Sequence, residues 1–328
     1  MTCLLFSACA PRPQDCARAD VFCVGLVTAY GAVDNQSINQ QAWLGVQDAK
    51  TSDKIDRVDF IQTVDNRDRA KNISVFAENG YDVIITVGPS ISDETAAAAQ
   101  KYPPILFIGV EQPQDTKYPN LAGLVFHEER SGFLAGALAA LITKTNHVAA
   151  LCEAKFIDPM RRYCDGFKAG ALYGKPDVKV SVIYRDGPPE DLFNDENWGR
   201  SNALKLVANG SDVLFAAGGS TADAALEAAA DQGIMVIGAE TDNYARLTEI
   251  RPELLSSAVS DIRSGVRDLI WLAREDKFPS GEFTGQVGLA SFHEFEDKIP
   301  PGVTIKLDEI FNGLGNNSIH IDVPYKSQ

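Results

Sequence analysis

The 328-residue sequence has no uninterrupted apolar run of about 20 residues, which excludes a membrane-spanning helix within the chain as given. Histidine is scarce. His127, His147, His293 and His320 lie far apart, and no two cysteines have C-x-x-C spacing, so the ligand clusters of a metal site are missing. Absent too are a glycine-rich loop ending in Lys-Ser/Thr and a G-x-G-x-x-G after a strand, the parts that cradle a nucleoside triphosphate or a dinucleotide. No cofactor is expected. Basic residues are outnumbered, 30 Lys and Arg against 45 Asp and Glu, giving a formal charge of −15. They are also scattered, so the chain would repel a phosphate backbone and nucleic acid is not an expected partner.

What is present begins with a 45% hydrophobic content, enough in a chain of this length for two domains with separate cores. The opening "MTCLLFSACAPRPQDC" reads as the tail of a secretory signal, with an apolar patch from Leu4 to Phe6, small Ser7 and Ala8, then Cys9. Such a lipobox would make Cys9 the acylated N-terminus and anchor the protein to a membrane, residues 1–20 serving as signal remnant and tether. Setting aside Cys3 and Cys9 leaves Cys16, Cys23, Cys152 and Cys164, an even number suited to an oxidising compartment. Of the three connectivities, sequence locality favours Cys16–Cys23 with Cys152–Cys164.

From Phe22 onward short β-branched runs alternate with helical patterns, the signature of parallel sheets with crossover helices. The first cycle runs "VFCVGLVT", "RVDFIQT", "DVIITVG" and "ILFIGV", with helices expected near 36–50, 67–79 and 92–101. The second runs "HVAAL", "VKVSVIY", "DVLFAAG" and "IMVIGA". The expected fold is therefore α/β, two doubly wound parallel-sheet lobes. Ligands of such sheets sit beyond the carboxyl ends of the strands. Those ends are polar in both halves: Thr28 to Asn39, Gly88 to Ser90, Glu111 and Gln112, Glu153 to Met160, Gly218 to Thr221, and Glu240 to Asn243. Facing one another, they would form an inter-lobe ligand cleft. Beyond Leu255 a short strand should lead into a helix, and the tail from Phe283 to Tyr325 reads as strand-rich. The lobes are expected to comprise 21–126 with about 256–286, and 127–255 with about 287–328.

"GGSTA" (Gly218 to Ala222) approximates the G-x-S-x-G nucleophile elbow, with Ser220 as nucleophile and Asp242 and His293 as partners in the order of the α/β-hydrolases. Its last position is alanine, and a serine at a strand-to-helix turn usually caps the helix. Glu240 and Asp242 form an acid pair suited to ligand hydroxyls. "FHEERSGFLAGALAALITK" reads as an amphipathic helix whose Phe133, Leu134, Leu138 and Leu141 face a core, with Gly132, Ala135, Gly136 and Ala139 permitting close packing. Trp43, in the first helix, reads as core.

The run Gly25-Leu26-Val27-Thr28-Ala29-Tyr30-Gly31-Ala32-Val33-Asp34-Asn35-Gln36-Ser37-Ile38-Asn39-Gln40-Gln41-Ala42-Trp43-Leu44-Gly45 resembles the opening motif of the basic membrane protein family, the PnrA-like substrate-binding lipoproteins of ABC transporters. "ERSGFLAGALA", "YCDGFKAGA", "ANGSDVLFAAGGSTADAALEAA" and "IGAETDN" extend the resemblance over nearly the whole mature chain. It implies a type I periplasmic-binding-protein fold and no catalysis. It further implies that the protein closes on a purine nucleoside or similar ligand and delivers it to a permease. A ligand sensor acting through a membrane receptor would share the same cleft. The expected ligand-binding residues are Thr28, Tyr30, Asp34, Ile38, Asn39, Glu111, Gly219, Glu240 and Asp242. Three positions depart from the family pattern: Ala29 stands at its acid, Ile38 at its stacking phenylalanine and Ser260 near its lysine. With the ring at position 38 gone, Tyr30 is the expected aromatic surface.

Overall fold

The computed structural model describes residues 16–34, 36–52, 55–114, 116–188 and 191–326. The chain begins β1 (Cys23–Thr28), α1 (Ile38–Ser52), β2 (Arg57–Ile61), α2 (Arg69–Glu78), β3 (Val83–Val87), α3 (Ser92–Lys101), β4 (Leu106–Val110) and β5 (Leu121–Val125). It continues α4 (Glu128–Ile142), β6 (His147–Cys152), α5 (Asp158–Gly174), β7 (Lys179–Tyr184), α6 (Glu196–Ala208), β8 (Val213–Ala217), α7 (Gly219–Ala230) and β9 (Met235–Glu240). Last come β10 (Leu254–Ser260), α8 (Ile262–Arg274), β11 (Gly281–Thr284), β12 (Val287–Leu289) and α9 (Pro301–Gly315).

The strands form two six-stranded sheets, β11-β5-β4-β3-β1-β2 and β12-β10-β9-β8-β6-β7. In the first, β1 to β5 pair in parallel, Val24 lying opposite both Val58 and Val83. In the second, β6 to β10 pair in parallel and only β12 runs antiparallel, against β10. The apolar runs explain the sheets: β1, β3, β5, β6 and β8 are buried at every position, as strands covered on both faces must be. The parallel α/β architecture read from the sequence is the one observed.

Two compact units result. The first gathers the described residues up to Val33 with Ala42–Leu124 and Val266–Phe283; the second gathers Asp34–Gln41, Val125–Gly265 and the chain from Thr284. The expected boundary near 256 differs from this, because β10 joins the second sheet through β9 instead of the first. Cys16–Cys23 and Cys152–Cys164 are disulfide-bonded, with Cα atoms 5.8 and 6.2 Å apart. The first anchors the segment before β1 and the second ties the end of β6 to α5. Cys9 and the lipobox lie outside the described residues.

Three expectations need correction. The tail is not strand-rich: after β11 and β12 it folds into the helix α9, whose Val303, Leu307, Ile310 and Leu314 recur at helical spacing and are buried. β5 was not anticipated, since it follows β4 without a crossover helix and carries small Ala122 and Gly123. α4 is not amphipathic but buried almost all round, Arg130 alone escaping between Glu128 and Ala140. It packs backbone-to-backbone on α5. A Cβ on Gly136 would stand 1.9 Å from the Phe167 carbonyl oxygen, and one on Gly170 1.9 Å from that of Phe133.

Candidate functional site

In the second unit, three strand ends build one wall. After β8 the chain turns through Gly218 at φ 127°, and a Cβ there would lie 2.5 Å from the Cβ of Glu153, so both the conformation and the space demand glycine. Glu153, at the end of β6, is fully buried, as is Arg185 at the end of β7. Its carboxylate accepts from the Phe193 amide at 2.8 Å and the Thr221 hydroxyl at 3.3 Å, and stands 3.6 Å from Arg185 Nη1. Arg185 also pairs with Asp195 at 3.1 Å. Phe193, held at φ 65°, directs its carbonyl at the first turn of α7, where the Ser220 amide and hydroxyl both donate to it, at 2.9 and 3.0 Å. That carbonyl satisfies one of the amides a helix start leaves open.

β9 ends in Glu240, at φ 71°. Behind it Asn243 folds back so tightly that a Cβ on Gly238 would stand 1.9 Å from Asn243 Oδ1, and the Ser257 hydroxyl donates to that same oxygen at 3.1 Å. These turns enclose a cavity of about 350 Å³ lined by Gln36, Ser37, Gly219, Ser220, Asp223, Glu240, Thr241, Asn243 and Arg246 with a few alanines and Leu226. The size suits a small polar molecule. Asp223 and Arg246 form a two-bonded ion pair, Nη1 with Oδ2 and Nη2 with Oδ1 at 2.8 Å. Glu240 is half-buried. Burial, then the nearby charge of Asp223, pushes its carboxyl from an ordinary 4.5 up to about 7, against the pull of Arg246. Near neutrality this group can both donate and accept a hydrogen bond.

Gly219 and Glu240 are thus brought together, while Asp34 is exposed, Ile38 is the half-buried first residue of α1, and Asn39 is buried. Asp242 is also exposed and turns away from the cavity lining to pair with His293 at 2.7 Å, Tyr244 stacking on the imidazole at 3.9 Å. In the first unit Thr28 is buried and spends its hydroxyl internally, donating to the Gly31 carbonyl at 2.8 Å and accepting from the Thr63 amide at 3.1 Å. Tyr30 is 68% exposed. Glu111 directly follows β4, at φ 59°, and its neighbour Gln112 is fully buried, donating to Gly88 and Thr86. Ala29 is buried, its carbonyl held by Arg69 Nε at 3.0 Å. Ser260 is buried within 3.2 Å of the Tyr163 hydroxyl, and Trp43 sets an edge against Phe60, ring centres 5.0 Å apart.

The nucleophile-elbow reading does not hold. Ser220 Oγ is engaged by Phe193 and by Asn194 Oδ1 at 3.2 Å, so the Asp242–His293 pair has no serine to activate. Sequence reasoning missed Glu153's role, Arg185, Phe193, Asp223 and Arg246. The one available signal was positional: Glu153 directly follows a strand, as the anticipated acids do.

Two parallel α/β units, one with a polar cavity at its strand ends, are the architecture of the type I periplasmic-binding-protein fold. A solved ABC transporter solute-binding protein from Aeropyrum pernix K1 superposes with a TM-score of 0.75 at 19% identity, covering 92% of this chain and 94% of that one. The family of PnrA-like ABC transporter substrate-binding proteins, Bmp, matches residues 22–288, and the chain belongs to it. Similar proteins include a "CD4+ T-cell-stimulating antigen" of Listeria monocytogenes, 26% identical over 92% of this chain and 88% of that protein. Another is an "ABC transporter nucleoside-binding protein BmpA" of Lactococcus lactis, 27% identical over 78% and 76%. The protein is accordingly an extracytoplasmic solute-binding protein and not an enzyme.

Proposed function

We propose that the protein binds an uncharged nucleoside at the cavity beside Glu240 and hands it to an ABC permease while tethered to the membrane through a lipid on Cys9. The observation that carries this reading is the cavity itself: hydroxyls, amides and one carboxyl poised near neutrality, in a space of about 350 Å³. A nucleoside offers what such a lining needs, ribose hydroxyls and a base edge with both donors and acceptors. The nucleoside-binding relative from Lactococcus lactis points the same way. Glu240 and Gly219 contact the ligand directly in this reading. Asp34, Ile38 and Asn39, which belong to the same unit as the cavity, are proposed to contribute further contacts.

A thermal-shift panel of nucleosides, free bases and pentoses tests it. A ligand at one hundred times its dissociation constant stabilises the folded state by about 2.7 kcal/mol, a readily measured shift. A shift by pentoses alone, or by nothing in the panel, contradicts the nucleoside reading. Release of the protein from membranes in Cys9→Ser tests the anchor.

A further inference from the structure

We propose that Asp223 sets the charge specificity of the cavity: by holding Arg246 in a two-bonded ion pair it occupies the guanidinium that would otherwise accept a phosphate or carboxylate, so only ligands without an anionic group are admitted. The inference deepens the functional reading above and rests on it for the choice of probe.

Two features of the cavity would otherwise attract an anion. Among the described residues Arg246 is the only cationic side chain in its lining, and the start of α7, where Gly219 and Ser220 line the wall, carries the positive end of the helix dipole. Both are countered. The Phe193 carbonyl sits on the Ser220 amide and hydroxyl, so one of the open amides of the helix start is taken by an uncharged acceptor. Asp223, one turn further along α7, meets the guanidinium with both carboxylate oxygens. The pair is partly withdrawn from water, with side chains 27% and 20% exposed for Arg246 and Asp223. Pulling Arg246 away to a ligand anion would strand the Asp223 carboxylate in that setting, close to a second acid, Glu240. An anion entering the cavity therefore meets two acids and an already satisfied guanidinium.

Titration calorimetry of the full chain with guanosine, guanosine 5′-monophosphate and inorganic phosphate decides the matter. The wild type should bind guanosine and take the monophosphate at least about tenfold more weakly. Asp223→Asn, nearly the same shape without the charge, should gain about tenfold or more for the monophosphate relative to guanosine. Adding Arg246→Gln to that variant should abolish the gain. An unchanged preference in Asp223→Asn, or a gain that survives loss of Arg246, overturns the inference and leaves the nucleoside reading standing. If the wild type binds no nucleoside, that reading falls, and inorganic phosphate then judges the inference alone. Uptake by Asp223→Asn but not by the wild type supports it; equal behaviour of the two contradicts it. Should circular dichroism show Asp223→Asn unfolded, Asp223→Ser takes its place with the same outcomes.

Discussion

In the first unit the turn after β3, Gly88 at φ 105°, closes over Ala29; in the second the matching turn after β8, Gly218 at φ 127°, closes over Glu153. The backbone frame is the same in both. The amide of Ala29 donates to Val87 and that of Glu153 to Ala217, and a glutamate at positive φ stands just after the fourth parallel strand of the first unit, Glu111, and at the end of that of the second, Glu240. Behind each glutamate an amide side chain folds back over a glycine, Gln112 over Gly109 and Asn243 over Gly238. What differs is the filling. Apart from the Arg69 guanidinium on the Ala29 carbonyl, the first unit closes its frame with neutral groups: Thr86 with Thr95 at 2.7 Å, Gln112 with Thr86 and Gly88, and Asn120 donating to three carbonyls. The second uses ions: Glu153 with Arg185, and Glu128 with Arg162 at 2.6 Å, both side chains of the latter pair nearly inaccessible. A neutral network loses one bond when one member is removed. A buried ionic network strands a charge, so single substitutions and pH should act more strongly on the second unit.

The largest expected effect comes from Arg162→Met, which leaves Glu128 buried and uncompensated at a cost of about 3–5 kcal/mol. Hydrogen exchange should place the loosening in α4 and α5. Next is pH. Glu240 titrates near 4.5 unfolded and at about 7 folded, so between those values the folded protein holds the extra proton and stability falls as pH rises. Glu240→Gln should match the wild type below about pH 4.5 and exceed it by about 3 kcal/mol above about pH 7, once the carboxylate is fully ionised. Parallel stability curves for the two proteins across that range would contradict the assignment. Smaller still, Asn120→Ala in the first unit leaves the Ala99, Tyr102 and Ile105 carbonyls short of a donor, costing about 1–3 kcal/mol with no pH dependence. Should it cost as much as Arg162→Met, the contrast between neutral and ionic filling breaks.

Much of the frame was legible because parallel strands buried on both faces must be apolar runs, and "DVIITVG" and "DVLFAAG" admit no other easy reading. β5 escaped because "LAGLV" is short, holds glycine and alanine, and lacks the preceding helix that βαβ alternation leads one to expect. α9 escaped because its glycines and polar residues broke up a period that only Val303, Leu307, Ile310 and Leu314 carry. At the site, Glu240 and Gly219 could be found because strand ends are where such folds bind ligands. Asp223 and Arg246 could not. On "STADAALEAAA" the acids Asp223 and Glu227 fall four apart and look like a solvated helix stripe, and nothing in sequence joins Asp223 to an arginine 23 residues away. Glu153 and Arg185 likewise read as ordinary loop charges until β6 and β7 are paired side by side.

The most direct test of the cavity as the ligand site is titration of guanosine, inosine, adenosine, cytidine and uridine into the wild type and Glu240→Ala. Saturable binding of at least one nucleoside by the wild type, weakened about tenfold or more in Glu240→Ala, is the predicted result. Absence of binding by every nucleoside, or binding that Glu240→Ala leaves undiminished, would contradict it.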